Sequence, residues 1–126
     1  MRETLFNWLA HLWPDFGARR GLDLFAGTGA LGFEFASRGA AHVTLVERQP
    51  QLLQQLRALR DKLAAPQIDI VAGDALALAS QLPAGTFDVV FLDPPFDAGL
   101  LWPAIKAARR LLTSDGLIYA ETDALI

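Results

Sequence analysis

The sequence predicts a doubly wound α/β fold, a mostly parallel sheet of five strands with helices on both faces. Three observations predict it. Along 126 residues, short apolar runs alternate with stripes of 3.6-residue period. The changes of period fall at Gly, Pro and Asp clusters, and a glycine-rich turn stands between the first strand and the helix that follows. Strands separated by helices are joined by right-handed crossovers, which makes neighbouring strands parallel.

Each element follows from its residues. Leu5, Leu9 and Leu12, flanked by Phe6 and Trp13, keep helical spacing, so the first dozen residues form an amphipathic helix stopped at Trp13-Pro14-Asp15. Residues 21–26 (GLDLFA) are a short apolar strand that meets the glycine turn, and residues 30–38 are helical up to Gly39. A second strand at 41–47 (AHVTLVE) precedes a helix from Pro50, in which Leu52, Leu56, Leu59 and Leu63 make one stripe. A third strand at 68–72 leads to a short helix at 75–82 and a turn at 83–86 (PAGT). The fourth strand, 87–92, is nearly all apolar, as a strand covered on both faces should be. A helix at 100–112 and a fifth strand at 117–121 complete the pattern.

Composition narrows the function classes. A chain that is 52% hydrophobic can bury a core as one domain, residues 1–126. With no cysteine there is no disulfide framework and no thiolate site, and His11 and His42 alone build no metal cluster, so no metal is expected. The sequence has no apolar run of membrane-spanning length and no secretion-signal layout at Met1-Arg2-Glu3-Thr4, so a soluble cytoplasmic chain is expected, with no membrane partner. A net charge of -3 argues against a domain that grips nucleic acid through its overall field.

Doubly wound sheets bind ligands beyond the carboxyl ends of their strands, so the chemistry belongs in those loops. Gly27-Thr28-Gly29-Ala30-Leu31-Gly32 fits G-x-G-x-x-G between a strand and a helix. Glycine there lets a ligand lie against the main chain, although a turn that needs glycine only for packing gives the same pattern. An acid recurs at or near the carboxyl end of each of the first four strands: Asp23, Glu47, Asp74 and Asp93. Carboxylates gathered on one rim repel one another, so stability gives little reason to collect them. S-adenosylmethionine, with its ammonium, sulfonium, ribose hydroxyls and adenine amine, supplies a reason. A dinucleotide does not, because its pyrophosphate would meet Asp23 at the turn. Glu47 suits the ribose hydroxyls, Asp74 the adenine amine, and Asp23 the methionine ammonium through water or main chain; the plainer readings make Asp74 a helix N-cap and Asp23 a turn residue.

Asp93-Pro94-Pro95-Phe96 is the most informative tetrapeptide. Two prolines after an apolar strand end its ladder and fix the main chain, which sets the Asp93 carboxylate and the Pro94 carbonyl side by side. Two acceptors suit a planar amine whose lone pair must leave conjugation before it can attack. Phe96 offers a flat face for an extruded base.

The segments RETLFNWL (2–9), LDLFAGTGALGFEFASRGA (22–40) and FDVVFLDPPF (87–96) together resemble the bacterial 16S ribosomal RNA guanine-N2 methyltransferases, over nearly the whole chain. The D-P-P-[FY] element is shared with adenine and guanine amino-methyltransferases generally; RETLFNWL and the SRGA ending turn the choice to ribosomal RNA. The resemblance implies a Rossmann-like class I methyltransferase core. In it Gly27, Gly29, Glu47 and Asp74 bind S-adenosylmethionine, with Asp23, Phe25, Arg48, Ala75 and Asp93 in the same site. Asp93 and Pro94 hold the amine, and Phe96 faces the base. Arg2, Glu3, Thr4 and Asn7 match a segment that closes over the methionine end of the cofactor.

Such proteins carry a basic extension before RETLF and further strands after the fifth. Against that pattern the chain reads as a core shortened at both ends, expected to bind ribosomal RNA or the small-subunit particle weakly and to self-associate through an open sheet edge. The alternatives are an adenine-N6 methyltransferase of DNA or RNA, a non-catalytic S-adenosylmethionine-binding module, and an NAD-dependent oxidoreductase. The intact DPPF opposes the second and the acids the third. Trp8, Trp13 and Trp102 read as core or interface aromatics. Arg57, Arg60, Lys62, Lys106, Arg109 and Arg110 read first as solvated helix faces and only second as phosphate contacts.

Overall fold

A strand buried on both faces must offer apolar side chains in both directions, and Val89 and Phe91 alternate with Val90 and Leu92 to do so. The computed structural model describes residues 2–94 and 98–120. The elements are α1 (Arg2–Leu12), β1 (Arg20–Asp23), α2 (Ala30–Ser37), β2 (His42–Glu47), α3 (Pro50–Leu63), β3 (Ile68–Ala72), α4 (Ala75–Gln81), β4 (Phe87–Leu92), α5 (Ala98–Leu111) and β5 (Leu112–Ala120). The five strands form one sheet in the order β3-β2-β1-β4-β5, and every pairing is parallel. The order reverses between β1 and β4, which leaves a crevice beyond their carboxyl ends.

Two apolar layers sandwich the sheet. On one face Leu5, Phe6 and Leu9 of α1 and Phe35 of α2 pack on Val43, Leu45, Val89 and Phe91. Phe6, Phe35 and Phe91 form a ring cluster with centroids 6.0–6.1 Å apart. On the other face Ala75 and Ala79 of α4 and Ala104, Ala108 and Leu111 of α5 meet Leu22, Val46, Val90 and Leu92. Each large apolar side chain fully buried in these layers contributes about 1.5–3 kcal/mol. α2 lies so close to β2 that a Cβ on Gly32 would collide with the Leu45 side chain. That contact sets the height of α2 and hence of the turn before it.

Three expectations are corrected. β1 ends at Asp23, earlier than expected, although the Leu24 N–H still reaches the Phe91 carbonyl at 3.4 Å and the Ala26 N–H the Val46 carbonyl at 3.0 Å as the chain turns out of the sheet. β5 starts at Leu112, directly after α5, with a register shift opposite Phe87–Val89; Glu121 lies outside the described residues. The buried side of α3 is centred on Leu53 and Leu56, while Leu63 is 55% exposed. The tryptophans, expected in core or interface, divide: Trp13 is in the core, and Trp8 and Trp102 are exposed. Among the described residues no helix is long and apolar enough to cross a membrane.

Candidate cofactor pocket and active site

The chain leaves β1 through Leu24-Phe25-Ala26 and must reverse within three residues to enter α2. Gly27 and Gly29 make this possible with φ of 56° and 81°, the left-handed region in which a side chain would be strained. They then part company. The Cβ position of Gly27 meets nothing within 4 Å and opens on the crevice, whereas that of Gly29 would press on Leu56 and Phe33 at 2.7 Å. Gly29 therefore stands behind the turn, where it shapes the loop without lining the pocket.

Glu47, at the end of β2, ties this turn to its neighbours. Its Oε1 accepts from the Gly27 N–H at 2.9 Å, and Oε2 accepts from Arg48 and Gln49 N–H at 3.1 and 3.0 Å. The Gly73 N–H donates to the Glu47 carbonyl at 3.0 Å, which brings the loop after β3 to the same place. Asp74 caps α4 through Oδ2, which accepts from Ala77 N–H at 3.1 Å. The plainer reading of Asp74 is thus satisfied by one oxygen, and Oδ1 has no partner among the described residues.

Asp23 is 3% exposed, and its Oδ1 accepts one hydrogen bond, from Phe25 N–H at 3.1 Å. No side-chain polar atom among the described residues is both fully buried and unpaired, so Oδ2 opens onto the crevice. Burial first, and then the nearby carboxylates of Asp93 and Glu47, push its pKa up to about 7, against the single main-chain donor that lowers it.

These loops enclose a pocket of about 420 Å³, within the range of small-ligand sites. Asp23, Phe25, Gly27, Glu47, Arg48, Asp74, Ala75 and Asp93 all line it, so the acids of four strands do share one cavity. Leu31, Leu52, Leu76 and Leu100 supply apolar wall that the sequence reading did not single out, although each sits on the first turns of a helix that follows a rim loop. Pro94 follows Asp93 half-buried, and Phe96 lies outside the described residues. Glu3, Thr4 and Asn7 are exposed on α1 and do not line the pocket; of Arg2 only the main chain is described. Among the described residues no group of three His, Asp or Glu side chains is arranged to hold a metal ion.

A family model described as conserved hypothetical protein 95 matches residues 1–125. The chain belongs to this family. Similar proteins include those named Ribosomal RNA small subunit methyltransferase D from Escherichia coli K12, 41% identical over 98% of this chain and 61% of its own length, and from Haemophilus influenzae, 39% identical over 98% and 65%. A solved Escherichia coli structure superposes with a TM-score of 0.84 at 40% identity, over 96% of this chain and 67% of that one. The chain thus spans about three fifths of the length of the curated relatives it matches. The fold is that of class I methyltransferases.

Proposed function

We propose that this pocket binds S-adenosylmethionine and that the chain methylates the exocyclic N2 amine of a guanine in small-subunit ribosomal RNA. One observation carries the reading: an open left-handed glycine turn and four carboxylates, among them the Asp93 that opens DPPF, converge on one pocket. The resemblance of the N-terminal and DPPF segments and the relatives named for small-subunit ribosomal RNA support the choice of substrate. A bacterial ribosomal RNA substrate puts the reaction in the cytoplasm.

The residues suit the cofactor. The empty space beyond Gly27 admits a ligand against the main chain. Glu47 is fixed by three N–H donors yet keeps acceptor capacity for ribose hydroxyls, Asp74 offers Oδ1 to an amine, and Asp23 offers Oδ2 to an ammonium. A pyrophosphate would meet the same carboxylates as repulsion. When bound, S-adenosylmethionine would supply a methyl carbon on a sulfonium, with a neutral thioether as the leaving group. Asp93 and the Pro94 carbonyl accept from the two protons of the amine, which draws its lone pair out of the ring. The displaced proton leaves late, to Asp93 or to water.

Asp93→Ala tests this. It should leave S-adenosylhomocysteine affinity in calorimetry largely intact, while methyl transfer to small-subunit particles lacking the modification falls by about 100-fold or more, as when a preorganised polar group is lost. Nucleoside mass spectrometry should show N2-methylguanosine. Full activity of the variant, or N6-methyladenosine as product, overturns the assignment.

A further inference from the structure

α5 carries a surface that the pocket does not use. Its core stripe is Ala104, Ala108 and Leu111, and the opposite side presents Trp102, Lys106 and Arg109, spaced i, i+4, i+7 on one face. Trp102 is 71% exposed, the most of the large apolar side chains described. The helix contains no acidic residue and three cations, in a chain of net charge -3. Arg110 is committed elsewhere: its Nη2 donates to the Ala79 and Leu82 carbonyls at 2.7 and 2.6 Å and so caps the end of α4. Lys106 and Arg109 are exposed and have no carboxylate partner among the described residues.

Position gives the stripe its meaning. α5 follows β4, so it starts at the rim and runs down the outside of the sheet, and its Leu100 lines the pocket. Trp102 therefore stands one half-turn from the pocket wall, with Lys106 and Arg109 one and two turns farther from the rim. Arg109 in the last turn has an ordinary reason to be there, since it opposes the helix dipole. Lys106 has the ordinary reason of a solvated helix face, but a tryptophan 71% exposed beside it does not.

We infer that the Trp102–Lys106–Arg109 face of α5 is a track for single-stranded RNA leading to the pocket, with a base stacked on Trp102 and phosphates held by Lys106 and Arg109. An aromatic followed by cations along one line fits a polyanion whose repeat unit has a flat face. An acidic protein would use the cations and leave the indole unexplained. This inference rests on the proposed RNA substrate.

The test is fluorescence anisotropy of a labelled single-stranded RNA titrated with the chain at two low salt concentrations. Trp102→Ala should weaken binding about tenfold, as expected for loss of one stacked base. The double variant Lys106→Glu/Arg109→Glu should weaken it further and reduce the slope of log affinity against log salt by about 1.4, the value for two phosphates of a single strand. Arg57→Glu/Lys62→Glu reverses two exposed cations on α3 and should change affinity less than about twofold. Unchanged S-adenosylhomocysteine binding in every variant shows that the fold is intact. The inference is overturned if the α5 variants bind as the parent does, if the α3 pair loses as much, or if the parent binds no RNA. Failure of the functional reading is separate: the parent would then not methylate small-subunit RNA, even with the α5 effect on RNA binding in place.

Discussion

At the carboxyl ends of the strands, Asp23, Glu47 and Asp74 accept hydrogen bonds from main-chain N–H groups around the pocket. At the amino ends, Asp88 and Asp115 meet side chains: Arg19 Nη1 reaches Asp88 Oδ1 and Asp115 Oδ2 at 3.1 Å each, the Thr113 hydroxyl lies within hydrogen-bond distance of both carboxylates, and the Arg20 main-chain N–H donates to Asp88 Oδ2 at 2.9 Å. Arg19 also lies over the Trp13 ring at 4.6 Å. One end of the sheet neutralises its acids internally. The other leaves Asp23 without a cation, so its charged form is costly, and a cationic ligand can relieve that cost. The same residue type serves stability at one rim and binding at the other, and the difference lies in whether a cation is built in beside it.

Charge removal should therefore have opposite signs at the two ends. Asp23 gives the largest effect. Because its pKa is raised, the folded chain binds this proton more tightly than the unfolded chain, so the carboxyl costs nothing below the ordinary carboxylate range. The cost grows as pH rises and is complete above about 7. At about 1.4 kcal/mol per pH unit, the ceiling is about 4 kcal/mol. In urea unfolding, Asp23→Asn should match the parent near pH 4 and exceed it by up to that amount at pH 8, while binding S-adenosylmethionine more weakly. Equal stabilities at pH 8 would remove the contrast.

Asp88→Ala should act in the other direction. It leaves Arg20 N–H and Arg19 without their buried acceptor and should lower stability by about 2–3 kcal/mol with cofactor affinity unchanged. A loss of affinity without a loss of stability would show that the two rims are not separate. The smallest effect belongs to Asp115, whose carboxyl Arg19 holds below its usual range but which is exposed. Its contribution is present at neutral pH and fades as pH falls through that lowered value. Asp115→Asn should shift the urea midpoint slightly at low salt and not detectably at 1 M salt.

The legible parts of the sequence were those with punctuation. β3 and β4 lie where they were expected, because Gly73-Asp74 and Asp93-Pro94 end apolar runs. The convergence of Asp23, Glu47, Asp74 and Asp93 could be read as well, since parallel pairing puts all strand ends on one rim. What failed was inference from apolarity to strand. Leu24 is as buried as any strand residue but belongs to the pocket loop, and the polar Thr113-Ser114-Asp115-Gly116, which fell between the expected helix and strand, lies within β5. The amino-end network was missed, yet Asp88 is the one charge in FDVVFL and needed a partner when buried. The separate duties of Gly27 and Gly29 need coordinates: both have positive φ, and only the neighbours of the absent side chain tell them apart.

Strand order has a consequence for how the protein is made. β1 and β4 are neighbours in the sheet, but Arg20 and Asp88, which join them, are 68 positions apart in the chain. At roughly 5–20 residues per second of synthesis, Asp23 and Glu47 emerge several seconds before Asp93, and Asp74 about 1–4 seconds before it. Until β4 arrives, one side of β1 has no partner, and such long-range parallel pairing is slow to form. A growing chain thus holds three of the four acids of the pocket without its last wall. Cofactor added during synthesis should not speed the early steps, and should instead lock the last one, once the two halves of the sheet have met.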